Sequence, residues 1–203
     1  IHIITGLEDG GAENLLYKIC KHDHSNNHVV ISLMSGGKYF SLLRKMRIKV
    51  YSLDMKFYSI LRFFYLIRLL RILKPDVIQT WLVHGDFIGG IAARLAGIKN
   101  IVWTIVYSKL DPSIEKKRTI LLIKMLAKLS YIIPKLIVVI SKASLKNCQN
   151  LGYHKKKIRL IYSGFDLSYF KINKNQKLYF RKKNKIKKRT PLIGIIARHH
   201  PVK

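Results

Sequence analysis

Residues 77–105, VIQTWLVHGDFIGGIAARLAGIKNIVWTI, decide the fold. Residues 77–81 are a short apolar run of the kind found in strands buried on both faces. Residues 86–96 read as a helix and stop at Gly97, a residue suited to a left-handed C-terminal cap. Residues 101–105 are a second buried strand. Strand, helix and strand in that order form a crossover unit, which joins parallel neighbours.

The same alternation extends in both directions. Strand-like runs fall at 1–5, 28–33, 48–53, 136–140 and 158–161, and helix-like stretches at 12–20, 39–46, 57–73, 114–132 and 142–151. The 57–73 stretch stops before Lys74-Pro75, and the 142–151 stretch before Gly152; both are ordinary helix stops. The expected fold class is therefore α/β, a doubly wound parallel sheet. Residue 1 already lies in a strand, and residues 191–203 begin another and stop, so the sequence reads as a piece of a longer protein. Its expected organisation is a domain at 1–170, a basic linker at 171–190 and the start of a second domain at 191–203.

Of the 203 residues, 49% are hydrophobic, which excludes a disordered chain. Thirty-nine Lys and Arg against 10 Asp and Glu give a formal charge of +29, so an anionic partner is expected. With so few acids, carboxylate-rich metal chemistry has almost nothing to work with, and no metal site is expected. Cys20 and Cys148 are far apart without zinc-type spacing, and read as small core residues in a reducing, cytoplasmic compartment. Basic residues interrupt the two most apolar stretches, Arg62, Arg68 and Arg71 in one and Lys124, Lys128 and Lys135 in the other. Each central cation costs about 2.5–3.5 kcal/mol in a bilayer, so neither stretch spans. Peripheral contact with an anionic membrane surface remains a candidate role for them, as it does for the nine Lys and Arg of residues 174–190.

Five turns follow strands, on the edge where doubly wound sheets bind ligands. Gly10-Gly11 opens the first helix and lets backbone approach a ligand, while Glu13 complements the helix N-terminus. The spacing of Gly6 and Gly10 does not match the dinucleotide fingerprint. His84-Gly85-Asp86 follows the fourth strand, with Asp86 placed as a helix N-cap. Ser141 follows the sixth strand, where capping alone accounts for it. Ser163-Gly164 follows the seventh, with Asp166 as a cap or crossover anchor. Finally, Arg198 and Lys203 follow the strand at 191–196, and Arg with Lys at this spacing suits a diphosphate. His22, His24 and His28 sit in a helix-to-strand loop, unpaired with Cys or acids in the sequence, and read as solvated.

In their order, GGAEN at 10–14, WLVHGDFIGGIAARLAG at 81–97, VWTIVYSKLDPS at 102–113, ISKAS at 140–144, YSGFDLSYF at 162–170 and GIIARHHPVK at 194–203 resemble the family 4 glycosyltransferases. The resemblance covers nearly the whole chain. It implies a retaining, two-domain GT-B enzyme without a cofactor, using a nucleotide-sugar donor and a glycan or lipid-linked acceptor in cell-surface polysaccharide synthesis. Residues 1–170 are then the acceptor-binding Rossmann-like domain, and 191–203 the first strand of a truncated donor-binding domain. A hexosyltransferase type is implied, with the fragment alone inactive.

Carried over by position, Gly10 and Gly11 face the interdomain cleft with Glu13 beside them. His84 is the catalytic group lining the acceptor side, Asp86, Tyr107 and Ser141 belong to that side, and Arg198 and Lys203 hold the donor diphosphate. The chain departs from the family pattern at Val106-Tyr107-Ser108, at Ser141-Lys142 in place of Ser-Glu, and at Ser163-Gly164 in place of Asn-Gly. No Asp-x-Asp occurs, which argues against the metal-dependent glycosyltransferase design. The competing readings are a non-catalytic remnant and a basic nucleic-acid-binding module. The latter is disfavoured because only Tyr179 and Phe180 interleave with the basic run.

Overall fold

The computed structural model describes residues 1–55, 60–107, 116–169, 171, 173–187 and 189–195. The seven strands expected over residues 1–161 form: β1 His2–Ile4, β2 Val29–Ser32, β3 Lys49–Ser52, β4 Ile78–Trp81, β5 Ile101–Ile105, β6 Leu136–Val139 and β7 Ile158–Leu160. They make one parallel sheet in the order β3-β2-β1-β4-β5-β6-β7. The chain winds outward from β1 to β3, returns, and winds the other way from β4 to β7. The strand order therefore reverses between β1 and β4, which is where this architecture places its ligand crevice.

Two apolar layers cover the sheet, as the continuous apolar runs require. Ile4, Val30 and Trp81 pack against α1 (Gly11–His22) and α2 (Lys38–Lys45), whose buried residues Leu16, Cys20, Tyr39 and Leu43 recur at helical spacing. Ile3, Ile31, Ile78 and Trp103 meet the other layer, built from α3 (Ile60–Leu73), α5 (Gly90–Leu95), α6 (Lys117–Leu129) and α7 (Lys142–Asn150). Between β4 and α5 lie a single turn, α4 (Leu82–His84), and a π-helical turn at Gly85–Gly89. Gly97 and Gly152 take φ of +87° and +83°, the left-handed caps that their positions suggest.

The chain divides into two units at Ser163/Gly164, earlier than the expected boundary near 170. In the second unit Asp166 accepts the Ser168 N–H at 2.9 Å. The basic stretch forms α8 (Lys174–Lys183), capped by Asn173 accepting the Gln176 N–H at 3.1 Å, with no buried residue. Arg181 holds the following turn through the Lys187 and Thr190 carbonyls. The strand expected from residue 191 does not form over 191–195, where Ile193 and Ile195 are exposed. A strand exists only by pairing, and no described residue pairs with this segment.

Candidate functional site

The turns after β1 and β4 flank the reversal, and backbone packing locks one to the other. The Thr5 hydroxyl accepts the Gly85 N–H at 3.2 Å. A Cβ on Gly85 would lie 3.1 Å from the Ile3 carbonyl oxygen, and one on Gly89 would lie 2.8 Å from the Ile3 side chain. The glycines of the Gly85–Gly89 turn are thus what lets that turn lie on β1. Leu82, the first residue beyond β4, has φ of +66°. That conformation disfavours a branched L-residue, so the surrounding contacts hold the turn against local strain.

The glycine loop is equally fixed. Leu7 is buried, and its carbonyl accepts the Tyr39 N–H at 2.9 Å from the start of α2. Gly37, at φ +103°, lies so close that a Cβ there would overlap the Leu7 carbonyl. An exposed ion pair joins Lys38 to Asp9 at 2.9 Å. Gly10 precedes α1 with no side-chain cap, and the Glu13 carboxylate folds back against it. Gly11 faces open space. Backbone is therefore presented at the strand tips with a carboxylate at its border.

His84 stands exposed after β4, and partial burial lowers its pKa, which favours the neutral imidazole. Asp86 lies in the π-helical turn, fully buried, and caps nothing, contrary to the N-cap expectation. Its Oδ1 is 2.5 Å from the Thr80 hydroxyl, which is also 3.4 Å from the Val102 carbonyl. Burial pushes the Asp86 carboxyl well above the ordinary range. The Thr80 hydroxyl donates to Oδ1, which favours the charged carboxylate, but the cost of burying the charge outweighs it.

Tyr107, after β5, turns its hydroxyl inward to that of Tyr153, 3.0 Å away, and burial raises its pKa far above the usual phenol value. Ser141 caps α7, accepting the Ser144 N–H at 3.0 Å. Oδ1 of Asp86 and the hydroxyls of Tyr107 and Ser141 are thus engaged within the domain. Arg198, Lys203 and Ser108 lie outside the described residues.

The Glycosyltransferase Family 4 model matches residues 9–169. The chain belongs to glycosyltransferase family 4. This family 4 chain also resembles solved structures at low identity. It overlays Alr3699/HepE from Anabaena, in complex with UDP, with a TM-score of 0.74 at 19% identity, covering 91% of this chain and 49% of that one. A glycosyltransferase from Rickettsia africae gives 0.63 at 14% identity, with 94% and 50% covered. MurG from Acinetobacter baumannii gives 0.54 at 16%, with 84% and 47% covered. The family 4 chain thus spans about half the length of the structures it matches, and shares with them the Rossmann-like fold of GT-B enzymes. Among curated proteins no match is found.

Thr5, Thr80 and Gly37 support the edge of this family 4 domain but carry no motif. The Gly36-Gly37 pair was the one sequence signal for the last of them. Asp86 yields a test of its buried cluster. Its raised folded pKa means that its stability contribution is complete below about 3.8 and is lost as pH rises through the folded value. Asp86→Asn, which keeps an oxygen to accept from Thr80 and carries no charge, is expected to stabilise the domain at pH 7 by about 1–3 kcal/mol. The advantage should vanish towards pH 4 in urea melts. An advantage independent of pH would show that Asp86 is not held neutral.

Proposed function

We propose that the complete enzyme transfers a hexosyl residue, with retention, from a nucleotide sugar to a glycan or lipid-linked acceptor in cell-surface polysaccharide synthesis. Residues 1–163 supply the acceptor wall. The observation that carries this reading is the locked pair of turns at the strand-order reversal, which brings Gly10-Gly11, Glu13 and His84 to one edge of a family 4 domain. HepE has been solved with UDP and with UDP-glucose, which supports a uridine-diphosphate sugar as donor.

During transfer the bond from sugar C1 to the diphosphate oxygen breaks with oxocarbenium character, and negative charge grows on the leaving diphosphate. Stabilising it calls for fixed cations, the role assigned to Arg198 and Lys203. Neutral His84 can accept a hydrogen bond from the incoming acceptor hydroxyl. Asp86, Tyr107 and Ser141 position the edge from within rather than touching the acceptor.

No helix among the described residues is long and apolar enough to cross a membrane. On one layer, however, α3 exposes Ile60, Leu61 and Phe64 near Arg68 and Arg71, and α6 exposes Leu121 and Met125 among Lys117, Arg118 and Lys124. Apolar side chains among cations suit an anionic membrane surface at the cytoplasmic face, where a lipid-linked acceptor resides.

In the full-length enzyme, Arg198→Ala is expected to lower nucleotide-sugar turnover about 10²–10³-fold. Unchanged turnover would remove the diphosphate assignment. The same preparation should sediment with anionic vesicles at low salt and leave them at high salt; indifference to vesicles would remove the membrane role.

A further inference from the structure

At the other end of β1, away from the strand tips, three donor side chains from separate segments converge. His2 begins β1, and the β1–β2 register sets it opposite Val30, so His28, just before β2, lies beside it. Their rings stack, with Nε2 of His2 3.0 Å from Nδ1 of His28. Cys20, in the last turn of α1, packs over the same side of the sheet. One donor atom from each of the three lies within 4.8 Å of the others. His2 and Cys20 are buried, and Cys20 forms no disulfide. The loop reading that left His28 solvated and without acids or Cys is corrected: the partners are remote in sequence and are brought by sheet pairing.

The surroundings of His28 resemble the outer shell of a metal-bound histidine. Its Nε2 is buried without a hydrogen bond that meets normal geometry, yet lies 3.3 Å from Oδ2 of Asp23. Asp23 is held in turn by the Ser25 N–H at 3.0 Å and the Asn26 amide at 2.8 Å. A carboxylate behind the distal nitrogen orients an imidazole and raises its basicity as a ligand.

We propose that His2 Nε2, His28 Nδ1 and Cys20 Sγ bind a thiophilic divalent cation of the zinc class, with Asp23 as outer-shell partner. Two imidazoles and a thiolate suit such an ion, and do not suit oxygen-seeking Mg²⁺ or Ca²⁺. Metal–nitrogen bonds of about 2.0–2.1 Å in a tetrahedral site place two nitrogens roughly 3.3 Å apart, a few tenths of an ångström beyond their present separation. The fourth position is left for solvent or a further donor.

Without metal, the same atoms form a directed hydrogen-bond chain. The indole N–H of Trp81 only donates, and it reaches His2 Nδ1 at 3.2 Å. His2 therefore carries its proton on Nε2 and donates it to His28 Nδ1. An incoming ion takes the place of that proton, which moves to Nδ1 and displaces the Trp81 bond, while the Cys20 thiol releases its proton to solvent. Three metal–donor bonds replace two hydrogen bonds and one S–H bond, with one proton released per ion. This cluster is remote from the strand-tip turns, so its test does not depend on the glycosyltransferase reading.

The test is titration of the metal-free 203-residue chain with Co²⁺ as spectroscopic probe, followed by displacement with Zn²⁺. The expected result is one equivalent bound, a sulfur-to-cobalt charge-transfer band, and one proton released when calorimetry is compared in two buffers. Cys20→Ser should abolish the band, and Asp23→Asn, on the surface, should weaken Zn²⁺ binding about 10–100-fold without disturbing the core. A double His22→Ala, His24→Ala variant should bind as before. No saturable binding would overturn the proposal, leaving the hydrogen-bond chain as the cluster's whole role. Binding untouched by Cys20→Ser and Asp23→Asn, or lost with His22 and His24, would overturn it equally.

Discussion

Acidifying the metal-free chain from pH 6.5 towards 3 is expected to remove on the order of 3–5 kcal/mol of stability through His2 alone. Burial is the largest of the causes that lower its pKa from 6.5 to about 3. The unfolded chain therefore takes up a proton near 6.5 that the folded chain refuses until about 3. Stability from this group is complete above 6.5, falls by about 1.4 kcal/mol per pH unit through the window, and levels off below it. The Trp81 N–H explains the refusal, because it occupies the nitrogen that would have to accept the proton. His2→Gln offers an oxygen to the indole and an N–H to His28 without titrating. Urea melts between pH 7 and 4 should show a flatter profile for the variant; parallel profiles would refute the assignment.

Gly37→Ala should be the most damaging small substitution at the strand-tip edge. An L-residue is strained at φ +103°, and its Cβ would strike the Leu7 backbone, which cannot swing away as a side chain can. We expect a loss of about 3 kcal/mol or more, roughly 6–12 °C in Tm for a chain of this size. The displaced Leu7 carries the glycine loop with it, so turnover by the complete enzyme should fall as well. Gly11→Ala is the control: it opens a helix into free space and should change stability by less than about 1 kcal/mol. Equal damage at both positions would mean that the loop is not braced by α2.

The elements were legible because their signals are local. Gly97 and Gly152 announce helix ends, and the apolar runs of β4 and β5 announce strands buried on both faces. What the sequence concealed depends on pairing. Asp86 looks like a helix cap from its position after a glycine, but the π-helical turn rotates it inward to Thr80. His28 looks solvated until the β1–β2 register sets it beside His2. Tyr107 looks like a cleft residue until Tyr153, remote in sequence, claims its hydroxyl. Residues 191–195 have strand composition without a partner strand. The locations of the turns could be read from the alternation of elements; which atoms face outward from each turn could not.

The wide turn at Gly85–Gly89 makes chain length itself a determinant of the site. A π-helical turn holds one residue more than the α-helical turn it replaces, so deleting one residue there would restore ordinary winding with the flanking segments close to their present phase, whereas a residue deleted from α5 would turn everything upstream by roughly 100°. Only in the second case would His84 leave the rim with its identity unchanged. Variants of this segment that differ by a single insertion or deletion should therefore be compared by angular phase, not by aligned letters.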